Sequence, residues 1–192
     1  MSSKTLESIG ADEFGEIFEK RNGDNASVKG ITAEIRGNFN QKAQLEIGFT
    51  IQESRFDKPV TYINGIAPTR NFLRTPNDYG FANLTINATK SVNVNLNYVY
   101  TGAMEIAHFA GAVNQSTDEF VKTKSFSEFN FKIGKTFQSN QFNTKLELYT
   151  GMKNVFNSYQ KDFDIEKNRD SNYVYGPAMP RSFFIGIKFS ST

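Results

Sequence analysis

The chain has 192 residues, among them 19 Phe, 8 Tyr, 20 Asn and 14 Gly, but no Cys, no Trp and a single His. Its 22 basic and 20 acidic residues leave a formal charge of only +2, so the electrostatic footprint of a nucleic-acid-binding protein is missing. Without Cys there is no disulfide, thiolate zinc site or cysteine nucleophile, and one His cannot make a His-pair metal centre, so neither a metal nor a cofactor is expected.

No stretch approaches the roughly 18 to 20 consecutive apolar residues of a membrane-spanning helix. The first residues, Met1-Ser2-Ser3-Lys4-Thr5-Leu6-Glu7, lack the apolar core of a secretory signal, so no export address is expected in the segment as written. Residues 1–25 hold six acidic side chains and differ from all that follows. They read as a loop or strand remnant, and Phe14, Ile17 and Phe18 at helical spacing ahead of Asn22-Gly23 also allow one or two helical turns.

From residue 26 to 192 the dominant period is two, the mark of strands with unlike faces. Residues 27–38 place Ile31, Ala33 and Ile35 on one side. The next strand sets Ala43, Leu45, Ile47, Phe49 and Ile51 against Gln44, Glu46, Gly48, Thr50 and Gln52. Then come 79–89 with Ala82, Leu84, Ile86 and Ala88, and 92–100 with Val92, Val94, Leu96, Tyr98 and Tyr100 opposite Asn93, Asn95 and Asn97. The last three are 126–137 (Phe129, Phe131, Ile133, Phe137), 142–153 (Phe142, Leu146, Leu148, Met152) and 182–189 (Phe183, Ile185, Ile187, Phe189). The expected fold is all-β, an antiparallel up-and-down meander of about seven long strands.

Length and connection pattern refine that expectation. Soluble strands cluster near five or six residues, whereas a tilted membrane-spanning strand needs about 9 to 11. Joints at 38–42, 89–91 and 138–141 are short, those at 53–78, 101–124 and 155–180 are long, and the two kinds alternate. In a meander this gathers short turns at one end and long loops at the other, the layout of an outer-membrane β-barrel. Tyr98, Tyr100, Phe137, Phe142 and Phe189 near strand ends suit interfacial girdles. Glu34, Arg36, Glu46, Lys132, Lys145, Glu147 and Lys188 would then face a lumen. A β-sandwich, whose loops bind sugar or protein, also alternates and is the competing architecture.

Chemistry is sparse. The only His lies in Met104-Glu105-Ile106-Ala107-His108-Phe109, a long-loop segment, which makes Met104, Glu105 and His108 the candidate ligand contacts. The acidic run Asp162-Phe163-Asp164-Ile165-Glu166 with Asp170 fails the EF-hand template, carrying Lys167 where Gly is needed and Tyr173 in place of the bidentate Glu, and reads as a solvated loop. No nucleophile or acid is placed beside His108 by the sequence, so enzymatic activity is not expected. Asn25, Asn83, Asn87 and Asn114 match glycosylation sequons, two of them inside strands.

The most specific motifs lie near the C-terminal end: Asn154-Val155-Phe156-Asn157-Ser158-Tyr159 after a strand, then Gly176-Pro177-Ala178-Met179-Pro180-Arg181 leading into 182–189. This resembles the closing hairpin of TonB-dependent outer-membrane receptors, Bacteroidetes-like in flavour, in which an Asn-aliphatic-Phe-Asn-x-x-Tyr element is followed by a Gly-Pro-x-x-Pro-Arg approach to the last strand. Arg74-Thr75-Pro76-Asn77-Asp78-Tyr79-Gly80 and Tyr98-Val99-Tyr100-Thr101-Gly102 look like further barrel hairpins of that family.

The resemblance covers about residues 26–189 and implies the C-terminal fragment of a large transmembrane β-barrel in the Gram-negative outer membrane. It implies import of a scarce nutrient such as a ferric siderophore, cobalamin or a glycan, and a terminal strand (Phe183, Ile185, Ile187, Phe189) read by the barrel-assembly machinery. Ser190, Ser191 and Thr192 follow that strand here. A complete receptor has about twenty-two strands around a plug, and a short box that engages TonB. Neither plug nor box is recognisable in these residues, so the rest of the barrel, the plug and outer-membrane lipid are the implied partners, and TonB is reached only through the missing part.

Overall fold

A computed structural model describes residues 2–12, 15–40, 42–139, 144–177 and 179–191, with side chains from 25 to 190. Among them there is no helix. Three strands open the chain: β1 (Ser2–Asp12), β2 (Gly15–Phe39) and β3 (Ala43–Val60). A short β4 (Thr69–Asn71) precedes β5 (Asp78–Asn87) and β6 (Val92–Thr101). A small hairpin, β7 (Glu105–His108) and β8 (Glu119–Lys122), leads to β9 (Phe126–Ser139), β10 (Thr144–Lys153) and β11 (Ser182–Ser191).

The large sheet follows chain order, β1-β2-β3-β5-β6-β9-β10-β11, with β4 on β3, and all its pairings are antiparallel. The seven expected strands are β2 from residue 26 on, β3, β5, β6, β9, β10 and β11. Of the readings open for the first 25 residues, strand is the one observed: β1 folds against 15–25 of β2, with Ile17 and Phe18 inside that strand. Phe14 lies outside the described residues, as do Phe142 and the turn around it.

Register makes the two faces continuous. On one side Ile35, Ile47, Ala82, Tyr98 and Phe129 stand in one cross-strand row, and Ile133, Thr150 and Ile185 in another. This face is largely apolar from β2 to β11, Thr150 and Lys135 aside, and uncovered, with Ile31 79% and Ile185 85% exposed. Phe39, Phe137 and Phe189 border it at the short-turn end, Tyr98, Tyr100 and Phe183 at the long-loop end. All seven charged positions expected on the other side lie there, because each is in register with a polar-face neighbour.

The polar face is organised by a row of amides. Arg36 meets Glu46 at 2.6 Å. Glu46 accepts from Asn83 Nδ2, Asn83 Oδ1 accepts from Asn97 Nδ2 at 2.7 Å, and Asn97 Oδ1 accepts from Asn130 Nδ2 at 2.8 Å. Asn130 Oδ1 then accepts the backbone N–H of Asn154 at 2.7 Å. Every amide points its donor toward the carboxylate, so the dipoles reinforce one another along the row. Gly186 stays bare on this face because the ring of Tyr149 lies where its Cβ would be, a cross-strand cover for a glycine that adds no bulk of its own.

Short joints at 40–42 and 88–91 alternate with long ones at 61–77, 102–125 and 154–181, and the expected third short joint lies outside the described residues. The long ones are less irregular than their sequence suggests. β3 runs nine residues beyond Ile51, where alternating Glu53, Arg55 and Asp57 leave water on one side and Ser54 and Phe56 buried on the other. Among the described residues the sheet is open along two sides: β1 together with 26–39 of β2, beyond the reach of β1, on one, and β11 on the other.

Candidate functional site at the long-loop end

The three long loops form one packed cap. Ile106, Phe126, Tyr173 and Tyr175 make its buried apolar core, with Met104 and Val121 against it. Arg74 ties the first loop to the other two: its N–H donates to Glu105 O at 2.8 Å and its guanidinium to Val174 O at 2.9 Å.

His108 is buried, 5% exposed, and its Nε2 meets Asp164 Oδ1 at 2.9 Å. Asp164 also accepts the N–H of Asp170, and Asp170 accepts that of Phe109, so the second and third loops are cross-bonded. The sequence reading of 162–170 as a solvated loop is therefore corrected for Asp164, which is 6% exposed. An acid does stand beside His108, 56 residues away in sequence. The pair fastens the second loop to the third.

Beside it Asp162 accepts both phenols, Tyr173 at 2.9 Å and Tyr175 at 2.6 Å. Burial acts to raise the Asp162 pKa, but the hydrogen bonds led by Tyr175 and Tyr173 outweigh it and hold the carboxyl below its usual range. Burial first, then the bond to Asp162, pushes Tyr173 up to about 12, and the same two causes in the same order raise Tyr175 well above its ordinary value. Gln160, fully buried, donates to Tyr173 O and accepts from the Tyr175 N–H, which holds both rings in place. No spacing in the sequence singled out this network, because one carboxylate, Asp162, takes both phenols while Asp164 turns to His108.

The structure separates the three candidate ligand contacts. Met104 and Glu105 line a polar cavity of about 370 Å³ with Glu53, Arg55, Asn71 and Lys122. Glu105 accepts from Asn71 Nδ2 there at 2.7 Å. His108 is absent from it, because its ring is sealed between Asp164 and Tyr173.

The C-terminal motif residues converge on the neck of the third loop. Asn154, 1% exposed with φ 49°, donates from Nδ2 to Ser158 O and Met179 O and accepts the Ser158 N–H. Asn157, φ 54°, accepts the Arg181 N–H at 2.9 Å. Both ends of the loop are thereby pinned together where Pro180 and Arg181 enter β11. Phe156 projects onto the apolar side against Phe129, at 5.8 Å between centroids. Gly176 takes φ 87° beneath Phe126, and Tyr159 lines the neighbouring groove, while Pro177 is half-buried. Among the described residues no three His, Asp or Glu side chains converge as metal ligands. No family model matches the chain, and neither a curated protein nor a solved structure matches it.

Proposed function

We propose that this chain is a section of the wall of an outer-membrane β-barrel, the C-terminal portion of a TonB-dependent receptor, and that it takes part in importing a scarce nutrient such as a ferric siderophore, cobalamin or a glycan. The observation that supports this reading best is the division of a single wide sheet into one uncovered, largely apolar face and one hydrogen-bonded polar face, with short turns at one end and packed loops at the other. Lipid satisfies the first face and a water-filled or plugged lumen the second. The loop cap, with its polar cavity at Met104 and Glu105, is the element on the ligand's path. The chain works as a binding and conducting wall and not as an enzyme. The open edges of β2 and β11 are where the rest of the barrel joins, the plug occupies the polar side, and TonB acts through that plug.

The soluble sandwich reading needs a second sheet over the apolar face. Among the described residues the only other sheet is the two-stranded β7-β8 hairpin in the cap. The deciding experiment is an immunoblot of fractionated source cells, boiled and unboiled, with antibody against residues 160–175. A large outer-membrane band whose mobility changes on heating is the expected result. A heat-insensitive soluble band near 21.7 kDa would overturn it.

A further inference from the structure

We propose that the apolar face carries a site for one anionic phospholipid, its acyl chain in a trough across β9, β10 and β11 and its phosphate held by Lys135. The inference rests on the reading of that face as lipid-facing. A trough of about 730 Å³ opens on the face between Ile133, Leu148, Ile185 and Ile187. Its floor is low because Thr150, in register with Ile133 and Ile185, has the shortest side chain of that row. The Thr150 hydroxyl donates to Phe184 O at 2.9 Å, so its polarity is spent on the backbone and a methyl is left to the trough.

Lys135 stands at the short-turn end of this trough, in register with Leu148. It is exposed and makes no ion pair among the described residues; its ammonium hangs 5.2 Å from the ring of Phe137. A lone cation bordering an apolar channel complements a phosphodiester carrying an acyl tail, and a zwitterionic headgroup is drawn to it less because its own ammonium offsets the phosphate charge. The charge of the short turns points the same way: they contain Lys42 and Lys90 and neither Asp nor Glu, whereas in 154–181 the four acids Asp162, Asp164, Glu166 and Asp170 are balanced by Lys161, Lys167, Arg169 and Arg181. Anionic headgroups are drawn to the short-turn end, within a Debye length of these cations.

The chain has no tryptophan, so Phe189→Trp, one row nearer the turns than Ile187, is a unique fluorescent reporter beside the trough. The full chain is inserted into phosphatidylcholine vesicles doped with equal fractions of acyl-brominated phosphatidylglycerol or acyl-brominated phosphatidylcholine, and quenching is measured. The expected result is an association about fivefold stronger for phosphatidylglycerol, lost in Lys135→Gln. Equal quenching by the two lipids, or selectivity that survives Lys135→Gln, would overturn the site and leave the lipid-facing reading intact. No quenching by either would remove both. Phe137→Trp gives the same readout where the first reporter fails to insert.

Discussion

The imidazole of His108 lies flat on the phenol ring of Tyr173, with centroids 3.5 Å apart and planes 5° from parallel. With Asp164 on its edge, this stack joins the second loop to the third. Replacing His108 with Ala leaves a buried carboxylate short of a partner, at a cost of about 1–3 kcal/mol. The expected outcome is faster protease cleavage within 154–181 while the strands stay protected. Unchanged cleavage would mean that the loops are held elsewhere.

The phenol pair bonded to Asp162 gives the cap a dependence on pH at both extremes. The folded pKa of Asp162 lies below its unfolded value of 3.8, so its stabilisation is complete above that value and is lost as pH falls through the folded pKa. Tyr173 has the opposite sign: its contribution is complete below 10.0 and lost as pH rises through about 12. Protection of the third-loop amides, taken as exchange relative to the intrinsic rate at each pH, is expected to be greatest between these limits and to fall beyond either. In an absorbance titration, Tyr173→Phe should delete a late-ionising phenol; an unchanged late phase contradicts the assignment.

Asn154 combines a left-handed backbone with three side-chain hydrogen bonds, and the two roles separate by mutation. Asn154→Ala loses both, while Asn154→Gly relieves the backbone penalty of about 1–2 kcal/mol and still lacks the bonds. Thermal unfolding should rank wild type above Gly and Gly above Ala. Equal loss in both variants would show that φ is unimportant at the neck.

On β3, Ile47→Arg puts a charge on the apolar face, at a cost of about 2–4 kcal/mol near a bilayer midplane, while Gln44→Arg puts one on the polar face. Membrane assembly, followed as the heat-modifiable fraction, should fall for the first and stay near wild type for the second. Thr50 is a poor polar-face control because it is buried and bonded to Thr32. Similar assembly of the two variants would sink the barrel reading.

The seven sheet strands and their facing were legible in the sequence because a period of two is a local property: Val94 and Ile133 reach the same face whatever lies elsewhere. The loops were not legible to the same degree. The bond between His108 and Asp164 joins residues 56 apart, and no spacing rule links two irregular segments over that distance. The C-terminal motif falls between these cases. Its residues could be picked out as a unit, and only the hydrogen bonds of Asn154 and Asn157 reveal that the unit is a clasp.

The two open edges also carry an arithmetic. β2 and β11 both run from the loop end toward the turn end, since six reversals separate them. Pairing them directly, within one molecule or between copies, would create a parallel seam in an otherwise antiparallel sheet. A ring closed without such a seam therefore contains an odd number of strands beyond these seven, and an even number in all.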